Sequence, residues 1–193
     1  GMLTQLAALE SLPTSPKPPL GARRLRDELS VFTSLALRLS DGPGAGLGAE
    51  LAELTRLCAE RPTVLCHRDF HARNLMLHDG RVRMIDHQDA LLGPDTYDRV
   101  SLAYDPYVDL TDAILDRIAG DGEGVACVAV QRLCKAIGTF ADKGGPWLRY
   151  VGPAAASARR LLARDELTLP LLDLALRTLE LTSQAPTGER AAP

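Results

Sequence analysis

The residues best suited to chemistry lie together in His67-Arg68-Asp69-Phe70-His71-Ala72-Arg73-Asn74, followed by Met84-Ile85-Asp86. Asp69 and Asn74 stand five positions apart (74 − 69 = 5), and Asp86 follows after one expected strand–turn–strand. An Asp, an Asn and a second Asp in this order suit metal-assisted phosphoryl transfer. One carboxylate accepts or orients the proton of an attacking hydroxyl. The amide and the other carboxylate hold a magnesium ion that neutralises nucleotide phosphates. Each residue also admits a plainer reading: a turn cap for Asp69, a hairpin start for Asn74, an Asx turn for Asp86. Three chemically matched groups in one order favour the catalytic reading. A carboxylate ending a buried strand is also costly unless it is paired or metal-bound.

Neighbouring polar residues suggest support rather than reaction. His67 reads as a loop residue hydrogen-bonded to backbone near Asp86. His71 is ambiguous, and Arg73 is balanced between a phosphate oxygen and bulk water. Asp89 orients the loop or touches substrate. Asp98 opens a helix at Tyr97 as an N-terminal cap, with a bond to the catalytic loop as a second role. A rival metal reading takes His67, Asp69 and His87 as the two-His-one-carboxylate triad of non-haem iron enzymes. That triad needs a strand-built scaffold, whereas the chain reads as mostly helical after residue 90. No Gly-x-Ser-x-Gly elbow suggests acyl transfer.

The elements that must position these groups follow from periodicity. Met2–Leu12 is expected to be helical, with Leu3, Leu6 and Leu9 on one face. Pro13–Pro19 breaks it. A helical period returns over Arg23–Ser40, a Gly-rich connector is expected over Asp41–Gly48, and Ala49–Glu60 is a further helix. Gly44-Ala45-Gly46 only weakly resembles a dinucleotide fingerprint, because it follows a helix rather than a strand. Val64-Leu65-Cys66 is a short strand leading into the His67–Asn74 loop. Asn74–Leu77 and Arg81–Ile85 form a hairpin about His78-Asp79-Gly80, where Asp-Gly supplies the turn. The hairpin returns Asp86 toward Asp69 and Asn74. Gly93-Pro94 reads as a turn. Helices are expected from Tyr97 to about Leu110, interrupted near Pro106, then over Thr111–Ile118, Val125–Phe140, Ala154–Arg164 and Pro170–Thr182. One lobe over residues 2–183 and a frayed tail over 184–193 complete the reading.

Whole-chain properties narrow the class. The 193 residues suit one domain or one lobe of a larger unit, and 46% hydrophobic content is ample for a core. Aromatics make up only 4%, so aliphatic side chains must fill it. A net charge of −3 speaks against a nucleic-acid partner. No apolar run approaches the roughly 20 residues of a membrane span, and no secretory signal is evident. Cys58, Cys66, Cys127 and Cys134 form no CxxC pair and read as reduced core residues of a cytoplasmic protein.

The motif H-R-D-x-x-x-x-N is the catalytic-loop signature of protein kinases and their relatives. Cys66–Leu77, Ile85–Pro94 and Thr96–Leu102, with a weaker Leu133–Tyr150, resemble the C-terminal lobe of the aminoglycoside phosphotransferase and choline kinase family. Within it they are most similar to bacterial amino-sugar kinases acting on N-acetylmuramate and N-acetylglucosamine. The resemblance implies a mainly α (α+β) kinase-like C-terminal lobe with a small catalytic-loop hairpin. It implies Asp69 as base, Asn74 and Asp86 as ligands of Mg2+, His67 and Asp98 as loop-stabilising residues, and Arg73, Asp89 and Asp105 near phosphate or substrate. ATP or GTP would be the donor and a hydroxyl-bearing small molecule the acceptor. Two departures stand out. His87 replaces the usual Phe after the metal-binding Asp. The only Lys before residue 135 is Lys17, between prolines, so an N-terminal lobe with its strand Lys is expected to be absent. An exposed inter-lobe face would then invite a homodimer. The alternative is a non-catalytic binding module.

Overall fold

The computed structural model describes residues 2–11, 17–39, 44–120, 124–164 and 167–184. Its architecture is mainly helical with two small antiparallel sheets.

Helix α7 (Val125–Lys143) is the central pillar. Residues 125–131 are all buried, which is the pattern of a helix surrounded by others. Helices α3 (Ser30–Leu39), α4 (Gly44–Ala59), α5 (Tyr97–Ala103) and α8 (Val151–Arg164) pack against it. Gly138 permits the approach of α3, since a Cβ there would lie 2.8 Å from the Phe32 backbone nitrogen. Helix α9 (Pro170–Gln184) pairs with α8, where Arg159 bridges Asp173 and Glu180 at 2.9 and 2.8 Å. Glu50 of α4 accepts from Leu171 N and Leu172 N at 3.1 and 2.8 Å, satisfying N–H groups that a helix start leaves unpaired.

The sheets lie at one edge of this body. Strand β1 (Thr63–Cys66) pairs with β4 (Leu91–Pro94), with Val64 opposite Gly93 and Cys66 opposite Leu91. Strand β2 (Leu75–His78) pairs with β3 (Arg81–Met84), with Leu75 opposite Met84. Asp79 and Gly80 both have positive φ, 49° and 68°, as a type I′ hairpin turn requires. Helix α1 (Met2–Glu10) braces this edge: Gln5 donates to Val82 O, and Leu6 is buried with Phe70 and Leu102.

Several expected boundaries move. The helix expected over Arg23–Ser40 is two helices, α2 (Ala22–Asp27) and α3, separated at Glu28-Leu29. A tighter bond from Leu29 N to Arg26 O closes α2, and the break lets Glu28 turn inward to Arg68 and Lys135. The expected connector is already helix from Gly44. At Gly46 a Cβ would lie 2.5 Å from Leu171 Cδ1, so the glycine serves helix packing rather than flexibility. Gly93-Pro94 is not a turn but the end of β4, where Gly93 passes under the Cys66 sulfur. Helix α5 stops at Ala103, before Pro106, and α6 (Asp112–Ala119) follows. The frayed tail lies outside the described residues except Gln184, which is helical.

Candidate functional site

The loop between β1 and β2 is built on buried polar contacts. His67 is fully buried, and its Nε2 donates to Ile85 O at 2.9 Å, fixing the residue before Asp86. Its ring meets Phe70 edge-on at 5.9 Å. Asp98, in the first turn of α5, accepts from His67 N at 2.6 Å and Arg68 N at 2.9 Å. It does not cap the helix. The N-terminal cap position is Thr96, which makes no side-chain cap bond. Asp98 is spent instead on the loop backbone. Burial pushes its carboxyl above the ordinary value, and the two N–H donors pull it partly back.

Asp105, just beyond α5, holds the other end of the loop. Its carboxylate accepts from Ala72 N at 2.7 Å and Tyr107 N at 2.9 Å, and the residue is 2% exposed. Both oxygens therefore serve backbone, which leaves Asp105 a wall of the site more than a hand reaching into it.

Two non-glycine residues of the site are held in the left-handed region, Arg68 at φ 76° and Asp86 at φ 68°. Such backbone persists only where surroundings over-determine it. Arg68 is fixed by the Asp98 bond and by an ion pair between its guanidinium and Glu28. Asp86 follows the Ile85 anchor and accepts from the Gln88 amide.

These constraints bring Asp69, Asn74 and Asp86 to one cavity of about 430 Å³, closed on its far side by α5 and α7. Asn74 Nδ2 donates to Asp69 O at 2.9 Å, so the amide is oriented by the loop itself. Asp69 faces Arg132 of α7, Nη2 to Oδ1 3.7 Å. Arg132 is steadied by Ser101 Oγ at 2.9 Å and by the Tyr97 ring. One turn on, Lys135 pairs with Glu28 at 3.3 Å. Burial and the charge of Arg132 pull Lys135 down to about 8, against the opposing pull of Glu28. Burial lowers His71 as well, and its buried Nδ1 has no hydrogen-bond partner among the described residues.

Asp89 does not join this group. It is exposed, pairs with Lys17 at 3.3 Å and does not line the cavity. His87 is also exposed. Among the described residues no three His, Cys, Asp or Glu side chains converge as a metal cluster, which removes the iron-triad alternative. All four cysteines are buried free thiols. No helix among the described residues is long and apolar enough to cross a membrane.

Aromatic residues that the sequence does not single out complete the cavity lining, Tyr107, Phe140 and Trp147 among them. Tyr107, Phe140, Trp147 and Tyr150 form an aromatic group, with Trp147 parallel to Phe140 at 6.1 Å between centroids and Tyr107 edge-on to Tyr150 at 5.1 Å. Trp147 and Tyr150 come from a short 3₁₀ segment, Gly145–Tyr150, that follows Gly144 at φ 62° and opens on Gly145 at φ 53°. Arg73 lies over the Tyr107 ring at 3.9 Å and Lys143 over Trp147 at 4.5 Å. The scarcity of aromatics makes their gathering informative, but no local spacing announces it.

Comparison with known proteins agrees with this geometry. The profile of the phosphotransferase enzyme family matches residues 2–133. The chain is similar to N-acetylmuramate/N-acetylglucosamine kinases of three bacteria. It is 53% identical to that of Neisseria meningitidis over 49 residues, 25% of this chain and 15% of the relative. It is 40% identical to that of Pseudomonas aeruginosa over 91 residues, 44% and 27% of the two chains. It is 32% identical to that of Pseudomonas putida over 113 residues, 55% and 33% of the two. These matches span a third or less of the relatives' length.

Proposed function

The chain belongs to the phosphotransferase enzyme family, and from that premise we propose that it transfers the γ-phosphoryl group of ATP or GTP to a hydroxyl of an amino sugar. One observation supports this above the others: Asp69, Asn74 and Asp86, from a loop, a hairpin start and a hairpin end, line one cavity. Asp69 is the base that accepts or orients the acceptor's proton. Its partial exposure, 43%, leaves it reachable by substrate.

Asp86 and Asn74 offer a carboxylate and an amide oxygen, hard donors suited to Mg2+. Two protein ligands are few, which fits a metal completed by water and nucleotide phosphate rather than an all-protein cage. The bound ion would supply charge to neutralise the phosphates. The chain's own residues do the rest. His67 and Asp98 hold the loop backbone, Asn74 is pre-turned by Asp69 O, and Arg132 restrains the Asp69 carboxylate. In a loose phosphoryl transition state such positioning supplies much of the rate.

The test is calorimetric titration of magnesium–ATP into the chain, with Asp86→Ala as control, followed by phosphoryl transfer to an amino-sugar panel. Binding that the substitution abolishes supports the reading. Magnesium–ATP binding equal in the two proteins would remove Asp86 from the metal and sink it.

A further inference from the structure

The four cysteines are not alike, and the difference follows from where the fold puts them. Cys66 and Cys134 are buried, and burial holds both well above the ordinary thiol range. Cys58 and Cys127 instead share one junction, where the last turn of α4 meets the first turn of α7. Their side chains are hydrogen-bonded to one another. Cys127 Sγ also lies 3.0 Å from Gly124 O, to which the thiol donates. Arg61 closes the junction. Its N–H donates to Cys58 O at 3.4 Å, and its guanidinium is anchored by Asp95 at 3.1 Å. Its stem crosses Gly124, where a Cβ would lie 2.7 Å from Arg61 Cδ.

This placement gives the two thiols different tasks. Cys127 opens a helix of 19 residues, whose unpaired N–H groups favour a negative charge. The bond from Cys58, the Val128 N–H and the charge of Arg61 together hold Cys127 below the ordinary thiol value, against its burial. The same bond raises Cys58, which keeps its proton. Access differs too. Cys127 lines a cavity of about 390 Å³ with Glu60, Arg61, Gly124 and Leu167, whereas Cys58 is fully buried and does not line it. Cys127 is only 4% exposed, so the opening suits a small oxidant rather than a bulky one.

We propose that Cys127 and Cys58 form a peroxide-reactive modification site, in which Cys127 is oxidised first and Cys58 then closes a disulfide between α7 and α4. The Cys127 thiolate attacks one oxygen of a small hydroperoxide. An S–O bond forms, the O–O bond breaks, and the departing hydroxide collects the proton that Cys127 gave up. The sulfur of Cys58 then attacks the sulfur of the sulfenic acid. The S–S bond forms, the S–O bond breaks, and the second hydroxide leaves as water with the Cys58 proton. The two sulfurs lose two electrons and the peroxide gains them. The bridge closes a loop of 69 positions (127 − 58 = 69) that contains Asp69, Asn74 and Asp86, so oxidation ties the whole candidate site at both ends.

The test treats the full reduced chain with hydrogen peroxide and reads the intact protein and its non-reduced peptides by mass spectrometry. The chain should lose about 2 Da, yield one linked Cys58–Cys127 peptide, and recover its mass with dithiothreitol. Cys127 should be oxidised about tenfold faster than Cys66 or Cys134. In Cys58→Ser the bridge should fail and added oxygen should collect at Cys127. In Cys127→Ser neither the bridge nor rapid oxidation of Cys58 should appear. A bridge through Cys66 or Cys134, a bridge between two chains, oxidation spread evenly over the four thiols, or no oxidation in excess peroxide overturns the pair. These readings come from the wild-type chain, so they decide the matter whether or not a variant folds.

Discussion

Asp98 and Asp105 lie beneath the loop, and Asp69 and Asp86 lie above it, and the two pairs use the same side chain in opposite ways. The lower pair is 2% exposed at each residue, and each carboxylate takes two backbone N–H groups. The upper pair opens to a cavity and is only partly spent, Asp69 on a 3.7 Å ion pair and Asp86 on one amide. Satisfied carboxylates make a rigid frame, because removing either leaves buried donors unpaired. Unsatisfied carboxylates keep capacity for metal and substrate. Rigidity below is what allows the loop to hold Arg68 and Asp86 at positive φ.

The comparison breaks most sharply at the upper pair. Asp69→Asn should lower the phosphoryl-transfer rate by about 10³-fold, within the range for loss of a positioned base. Its midpoint of thermal unfolding should move little, because the residue is part-exposed and its ion pair is long. Steady-state kinetics beside a melting curve checks both. A rate loss matched by a comparable stability loss would place Asp69 with the frame instead.

The lower pair should show the reverse order. Asp98→Ala strands His67 N and Arg68 N inside the protein, at a cost of about 3 kcal/mol in urea unfolding. Asp105→Asn should cost less, about 1–2 kcal/mol, since one amide oxygen still accepts while the NH2 opposes Ala72 N or Tyr107 N. An Asp98→Ala protein as stable as wild type would show that the loop does not depend on its frame.

How legible each group was follows from the distance over which it is made. The reactive residues and the hairpin are local patterns: H-R-D-x-x-x-x-N within one loop, and Asp79-Gly80 at a turn that needs two positive φ values. The strand β1 was readable from Val64-Leu65-Cys66. Its partner β4 was not, because Gly93-Pro94 carries turn chemistry locally and becomes strand only when Cys66 lies across from Leu91. The break at Glu28 is likewise tertiary, made by Arg68 and Lys135 from 40 and 107 residues away (68 − 28 and 135 − 28). Asp98 could be suspected of bonding the loop, yet its place as a cap was wrong because two deeper N–H groups outbid the helix end. The aromatic rim joins residues 73, 107, 140, 143, 147 and 150, and no short-range spacing unites them.

The smallest effect sharpens the boundary between the two groups, where Lys135 serves both. Its ammonium pairs with Glu28 on the frame side, faces Tyr97 Oη at 3.4 Å and lines the cavity beside Asp69. Burial and Arg132 bring it down to about 8 from an ordinary 10.5. Between these values the unfolded chain still holds a proton that the folded chain has released, so raising pH through this window favours the fold. Below about 8 both states are protonated, and the buried charge is carried as a cost. Tyr97, Cys66 and Cys134, raised by burial, and Cys58, raised by its hydrogen bond with Cys127 and by burial, push the other way, because the unfolded chain ionises them first. The test is therefore a difference. Wild type minus Lys135→Met, followed by urea unfolding from pH 7 to 10.5, should climb by about 1–2 kcal/mol, less than the full shift implies because Glu28 and residual solvent share the charge. A flat difference would mean that Glu28 holds the proton on Lys135 throughout, making the pair part of the frame alone.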